Sequence, residues 1–419
     1  MNKKKLLVYA HYFYPDVAST GQILTELCEG LKKDFDVVVI CAVPSYGGVV
    51  AEEYNKKTLY YEKYNGMDLV RVRVCDFDKK NKLSRIKNIL GYFFNAIIAT
   101  FKVGKIDIVF SISQPPILGG ILGSIGKIIK RAKYVYNIQD FNPEQTEAIN
   151  YAKSKAVVNL TRFIDKSSCR MSDDIIVVGR DMKATLENRF NNKKVPNHHV
   201  INNWIDENEI YPLDKDHPKV QEFKATYGLK DKIVIMYSGN IGLYYDLENI
   251  IKVIGKFSKE TNVVFAFVGD GTMKDNLETY VKENHLQNVT FIPYQPKDDL
   301  IYSLNAADVH LVTNQKGIKG VSVPSKVYGV MATGKSVLAV LEKGSEAEII
   351  IKECQCGVVV EPQDYKGIEG AIRSFIEGQI DIDRMGYGGR EYLEANLTKD
   401  ISIEKYKNVL LTLLRISNS

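Results

Sequence analysis

Apolar residues along the chain gather into short continuous runs separated by amphipathic stretches. In the first half the β-rich runs occupy residues 6–10, 37–41, 69–74, 106–112, 134–138, 175–178 and 200–202. In the second half they occupy 233–237, 263–268, 289–292, 309–312, 337–340 and 358–360. Runs of about four to seven apolar residues without polar alternation suit strands covered on both faces. Between them the apolar spacing changes to steps of three and four, which predicts helices over 21–31, 246–257, 274–283 and 401–416. Asp246 is the expected N-cap of the second of these. Strands alternating with helices predict an α/β fold of doubly wound parallel sheets, and the pattern occurs twice. A boundary falls at residues 202–218, where Pro212 and Pro218 sit among charges. The expected domains are 1–205 and 206–397, with the last helix, about 398–417, crossing back onto the first.

Ligands of such sheets bind beyond the carboxyl ends of the strands, so the loops after strands carry the candidate chemistry. The loop Ser238-Gly239-Asn240-Ile241-Gly242 follows the first strand of the second half, and Gly269-Asp270-Gly271 follows the next. Glycine lets backbone amides approach a phosphate, although each sequence also reads as a plain tight turn. The segment Ser322-Val323-Pro324-Ser325-Lys326 predicts a helix start with Pro324 in the first position and Ser322 and Ser325 offering hydroxyls. Lys326 then opposes the helix dipole, a placement that an anion would make favourable. In the first half, Gly21 opens a helix after His11-Tyr12-Phe13-Tyr14-Pro15-Asp16. Asp140 and Glu144 follow a strand on the acceptor side of the expected cleft, where a carboxylate can bind or deprotonate a hydroxyl or simply cap a helix.

These motifs, in this order, resemble the GT-B glycosyltransferases, most closely the retaining family 4 enzymes of the bacterial surface-polysaccharide, fucosamine-transferase-like branch. The resemblance spans nearly the whole chain. It is carried by His11 to Asp16 with Gly21, by Asp140-Phe141-Asn142-Pro143-Glu144 and by Asn203-Trp204-Ile205-Asp206. The glycine loops, residues 291–295 with Tyr294, residues 307–311 and residues 323–335 complete it. It implies two facing Rossmann-like domains and sugar transfer from a nucleotide diphosphate donor with retained configuration. The second domain would hold the donor: residues 291–295 would border the base and 322–326 the diphosphate and sugar. No metal or other cofactor is implied. Catalytic weight would fall on Asp140 and Lys326. Gly21, Gly239, Asn240, Gly242, Gly269, Asp270, Gly271, Tyr294, Ser322 and Ser325 would contact the donor, and His11 and Glu144 would lie on the acceptor side. Two family glutamates are replaced, by Val321 and by Gly329 at the ribose position, and a loop Arg and Lys by Asn240 and Tyr245. Lys326 is the nearest remaining cation.

Charge sharpens this picture. Residues 1–205 hold 31 Lys+Arg against 20 Asp+Glu, while the remainder holds 25 against 31. Residues 79–133 concentrate eleven cations against one acid, Asp107. Within them Leu83, Ile86, Leu90, Phe93, Phe94, Ile97, Ile98 and Phe101 form an apolar stripe flanked by cations. An anionic membrane surface is the expected partner, unless both basic stripes are core helices. Nucleic acid is not expected, because no binding module or stacking aromatics accompany the cations. The six cysteines form no C-x-x-C pair and read as buried reduced thiols, which suits the cytoplasm and the inner face of the cell membrane. The expected partners are therefore a UDP- or GDP-sugar, a lipid-linked saccharide and that membrane surface. A GT-B nucleotide-sugar epimerase and a non-catalytic binding subunit remain as rivals. A nicotinamide-dependent oxidoreductase is disfavoured, since no G-x-G-x-x-G follows the first strand.

Overall fold

A computed structural model describes residues 3–16, 18–78, 81–148 and 154–416. Lys79 and Lys80 of the basic stretch lie outside the described residues.

The first sheet contains β1 (Lys4–Ala10), β2 (Phe35–Ala42), β3 (Leu59–Tyr64), β4 (Met67–Val72), β5 (Ile108–Ile112), β6 (Lys133–Ile138), β7 (Asp174–Val177) and β8 (His198–Val200). Their order is β3-β4-β2-β1-β5-β6-β7-β8, parallel except for the β3–β4 pair. The second sheet contains β9 (Ile233–Ser238), β10 (Val263–Val268), β11 (Val289–Ile292), β12 (Val309–Thr313), β13 (Ser336–Val340) and β14 (Gly357–Val360). Its order is β11-β10-β9-β12-β13-β14, parallel throughout. The apolar runs explain the buried central strands: β5, β10 and β12 are buried along their whole length. Strand order reverses beside β1 in one sheet and beside β9 in the other, and crevices open at such switch points.

Strand β3 is absent from the sequence reading. Its residues alternate in burial, and it turns back through Asn65-Gly66, with φ of 46° and 82°. That is the positive-φ pair a tight hairpin turn demands, and the Asn-Gly step was its legible signal. Asp246 does hold the N-cap position of the helix Leu247–Ile254, but not by capping with its side chain. It takes a left-handed conformation and caps no amide; its carboxylate accepts from Asn249 Nδ2 at 2.7 Å and from the Tyr365 hydroxyl at 2.9 Å. All six cysteines are free, but Cys75 is exposed and Cys354 half-buried rather than core.

The two halves are tied by buried contacts. The last helix, Lys399–Ile416, places Ile403, Tyr406, Val409, Leu410 and Leu413 in the apolar cluster of the first sheet. Burial of a large apolar side chain contributes about 1.5–3 kcal/mol, so five of them fasten this helix firmly. The Tyr406 hydroxyl accepts from Asn137 Nδ2 at 3.0 Å within the same cluster. The Phe141 amide donates to the Val321 carbonyl at 2.9 Å, and the Gly320 amide to Asp181 Oδ2 at 2.9 Å.

Candidate functional site

A cavity of about 290 Å³ lies where elements of both halves converge. The helix Ser19–Leu31, which follows β1, presents Ser19, Gln22, Ile23 and Glu26, one face at helical spacing. The connecting segment adds Trp204, Asp206 and Glu209. The second half supplies Gly239 after β9, Gly269 after β10, Tyr294 and Lys297 after β11, and Ser325, Lys326 and Gly329.

Lys326 is the cation of this cavity most exposed to a change of ligand. Its ammonium sits 3.8 Å from the centre of the Tyr245 ring and 4.8 Å from that of Tyr237. Among the described residues it has no ion-pair or hydrogen-bond partner. Ring faces attract a cation but replace only part of its hydration. Burial accordingly pushes the Lys326 ammonium down to about 7. Gly239 is glycine for this side chain: its φ is +134°, and a Cβ there would lie 2.5 Å from Lys326 Cε.

The helix itself is Lys326–Ala332, seven residues long, beginning after Pro324 and Ser325 rather than at them. Pro324 is therefore not its first residue. So short a helix has a weak dipole, and the attraction for an anion rests on the ammonium. The glycine turns are likewise partly committed. The Gly239 amide donates to Val268 O at 2.9 Å and the Ile241 amide to Asp270 O at 2.8 Å. Among the described residues, the Asn240 and Gly242 amides make no such bond. Asp270 is exposed and accepts from the Gly271 amide at 2.8 Å, which is the tight-turn role. Gly21 packs against the Tyr12 backbone, whose carbonyl oxygen a Cβ would approach to 3.1 Å. Tyr294 stands at the rim, 60% exposed.

Asp140 follows β6 and pairs through an isolated antiparallel bridge with Ser322, so the two candidate residues from opposite halves meet directly. Burial raises the Asp140 carboxyl to about 6, although the Ser322 hydroxyl donates to it. Tyr245 lies within the field of Asp140: its phenol is pushed up to about 12, by burial first and by that carboxylate second. Tyr245 thus neighbours Lys326 and also feels the charge of Asp140.

Two acceptor-side candidates are placed elsewhere. His11 is buried, contacts Asn88 Oδ1 through Nε2 at 3.2 Å and lies between the rings of Tyr12 and Tyr92. Burial drops its imidazole to about 4, so it is a neutral core histidine away from the cavity. Glu144 accepts from Arg189 Nη2 at 2.5 Å and Arg162 Nε at 3.2 Å. Burial pushes it up, but the Arg189 charge outweighs that and holds it below the usual range. A carboxylate so clamped is a structural anchor and a poor base. Glu26, Trp204, Asp206, Glu209 and Lys297 were not expected at the site. The legible signals were the Asn203-Trp204-Ile205-Asp206 motif and the spacing of Ser19, Gln22, Ile23 and Glu26 on a helix after β1.

The basic stretch divides. On the helix Lys82–Lys102, Phe93 and Ile97 pack against the core, while Leu83, Ile86, Leu90, Phe94, Ile98 and Phe101 stay exposed. The helix Leu118–Lys130 packs beside it, and Lys155–Met171 packs beside that one, adding exposed Val157, Leu160 and Phe163. Arg85, Lys87, Lys102 and Lys105 flank this apolar face. No helix among the described residues is long and apolar enough to cross a membrane.

Residues 219–392 match the family described as glycosyl transferases group 1. The chain is 29% identical over 425 residues to a probable glycosyltransferase, WbjE, of Pseudomonas aeruginosa, covering 98% of both chains. It is 26% identical over 426 residues to a putative colanic acid biosynthesis glycosyl transferase, WcaI, of Escherichia coli K12, covering 96% of this chain and 99% of that one. Among solved structures, sucrose-phosphate synthase from Thermosynechococcus elongatus superimposes with a TM-score of 0.76 at 14% identity, over 99% of this chain and all of that one. Anabaena Alr3699/HepE in complex with UDP does so with a TM-score of 0.71 at 12% identity, over 98% and 100%. The fold is that of the GT-B structures, residues 219–392 match the group 1 glycosyl transferases, and relatives similar over nearly the whole length are named glycosyltransferases: these findings together support a glycosyltransferase.

Proposed function

We propose that this glycosyltransferase moves a sugar from a UDP- or GDP-linked donor to a lipid-linked saccharide during surface-polysaccharide synthesis, with retained anomeric configuration. The observation that carries the donor half is Lys326: a half-buried lysine whose ammonium has no anionic partner among the described residues, at the glycine loop of a cavity between the two halves. In this reading Lys326 and the Asn240 and Gly242 amides meet the diphosphate charge, the task a divalent metal performs elsewhere. Gly21 would supply an amide from the opposite wall. The structural neighbour Alr3699/HepE, solved in complex with UDP, supports a uridine nucleotide.

The bond between the anomeric carbon and the diphosphate oxygen breaks as the acceptor hydroxyl attacks from the same face. The hydroxyl proton passes to the departing diphosphate oxygen, and Lys326 stabilises the charge that develops there. The Asp140 carboxylate, held by Ser322, orients the acceptor hydroxyl. The exposed apolar face of Lys82–Lys102 and Lys155–Met171, rimmed by cations, would rest on an anionic membrane that presents the lipid-linked acceptor. In this reading the protein works at the cytoplasmic side of the cell membrane.

Incubation with a panel of UDP- and GDP-sugars and bacterial membrane lipid extract tests the reading. Transfer of sugar to a lipid fraction is expected. Nucleotide-sugar consumed to a changed sugar without any acceptor indicates an epimerase, and no turnover with any donor overturns the enzyme reading.

A further inference from the structure

One carboxylate in the cavity is not accounted for by phosphate chemistry. Glu26 reaches in from the helix Ser19–Leu31 of the first half. Its Oε2 accepts from Trp204 Nε1 at 2.7 Å, and its Oε1 has no partner among the described residues. The other acids of the cavity are engaged. Asp206 is paired with Lys399, and Glu209 lies 2.7 Å from Lys297. Of the three acids that line this cavity, Glu26 alone has no ion-pair partner among the described residues, which leaves its Oε1 to accept from a ligand. Its place along the cavity is set by its neighbours. It lies within the fields of Lys399 and of Lys297, the latter three residues past Tyr294. The helix Lys326–Ala332 lines the same cavity with Lys326, Gly329 and Val330, so beyond Lys326 it supplies no polar side chain. A Cβ on Gly329 would meet only Ile205 and Leu304 carbons, both at 3.5 Å.

A ligand whose diphosphate rests on Lys326 extends its nucleoside along this wall. A ribose has two neighbouring hydroxyls, both donors, and an ionised carboxylate is the strongest acceptor for such a pair. We propose that Glu26, a residue of the first half, is the specificity-determining acceptor for the ribose hydroxyls of the donor nucleotide, with Trp204 fixing its orientation. The inference rests on the nucleotide-donor reading. It makes donor recognition a property of both halves, because Glu26 and Lys326 would grip one nucleotide from opposite walls.

The experiment compares binding of UDP and GDP with their 2′,3′-dideoxy forms by calorimetry, on the native protein and on Glu26→Gln. The glutamine keeps an oxygen to accept from Trp204 but can turn an NH₂ donor toward the ribose. The native protein is expected to prefer the ribonucleotide by about tenfold or more, the worth of a hydrogen bond to a charged group. Glu26→Gln is expected to lose most of that preference while keeping its melting temperature. Equal affinity of the native protein for both forms overturns the proposal, as does a preference that Glu26→Gln leaves intact. Failure of either diphosphate to bind at all defeats the donor reading itself, and this inference with it.

Discussion

The ammonium of Lys326 ties donor binding to pH in a way that can be worked out in advance. Free, it titrates at about 7 because burial strips its hydration and two ring faces only partly replace it. A bound diphosphate supplies the missing countercharge and raises the value again. The bound state then holds a proton that the free state has lost above neutrality. Below pH 7 the group is charged in both states and contributes its full attraction. Above pH 7 each binding event must recruit a proton, and affinity falls by up to tenfold per pH unit until the bound-state value is reached. If that value exceeds 9, affinity for UDP drops roughly twentyfold between pH 7.5 and 9. At pH 8 about 0.9 proton enters per UDP bound. Titration calorimetry in buffers of different ionisation enthalpy reads both quantities. Lys326→Met should weaken UDP binding about tenfold to a hundredfold at pH 7, abolish the proton uptake and flatten the pH dependence. The same substitution should raise Tm. A lysine whose folded value is lowered destabilises the native state at every pH below its unfolded value, and methionine removes that cost. A native protein whose UDP affinity is level from pH 7 to 9, with no buffer-dependent heat, would refute the reasoning.

Other outcomes follow from the same geometry. Gly239→Ala should lower stability by about 1–3 kcal/mol in denaturant unfolding, since alanine takes a strained φ there and crowds Lys326 Cε; it should also weaken UDP binding. Transfer rate should fall as pH drops through about 6, where Asp140 becomes protonated, and Asp140→Asn should be slower at pH 7 and lose that acidic limb. Phe94→Asp with Phe163→Asp should cut binding to vesicles rich in anionic lipid by tenfold or more in a sedimentation assay, because each phenylalanine contributes about 1.5–3 kcal/mol of apolar burial. Binding by the native protein should weaken with salt; salt-independent binding, or none, assigns these helices to the fold alone.

Much of the fold was legible because parallel strands buried on both faces write themselves as apolar runs. The β9 and β10 runs and their glycine loops are examples, and Gly239 and Gly269 do line the cavity. β3 escaped because it is an edge strand with one wet face, so its run Leu59 to Tyr64 mixes tyrosines with charges. The helix at Lys326 was placed correctly in outline but two residues early, since Pro324 permits a helix start without requiring one. His11 and Glu144 show the limit of reading residue types. A histidine after a strand suggests chemistry, but only the packing of Asn88 and Tyr92 around it reveals a core residue. Glu144 looks available until Arg189, far along the chain, closes on it. Glu26 escaped notice for the converse reason: one glutamate on an amphipathic helix is ordinary until the fold sets Trp204 against it and turns it into the cavity.

In the proposed reaction a donor held at Lys326 transfers its sugar to an acceptor attacking from the face the diphosphate leaves. Nuclear magnetic resonance of the purified product reads this directly through the coupling at the anomeric centre. The account predicts the donor's own anomeric configuration in the product; an inverted centre would contradict it.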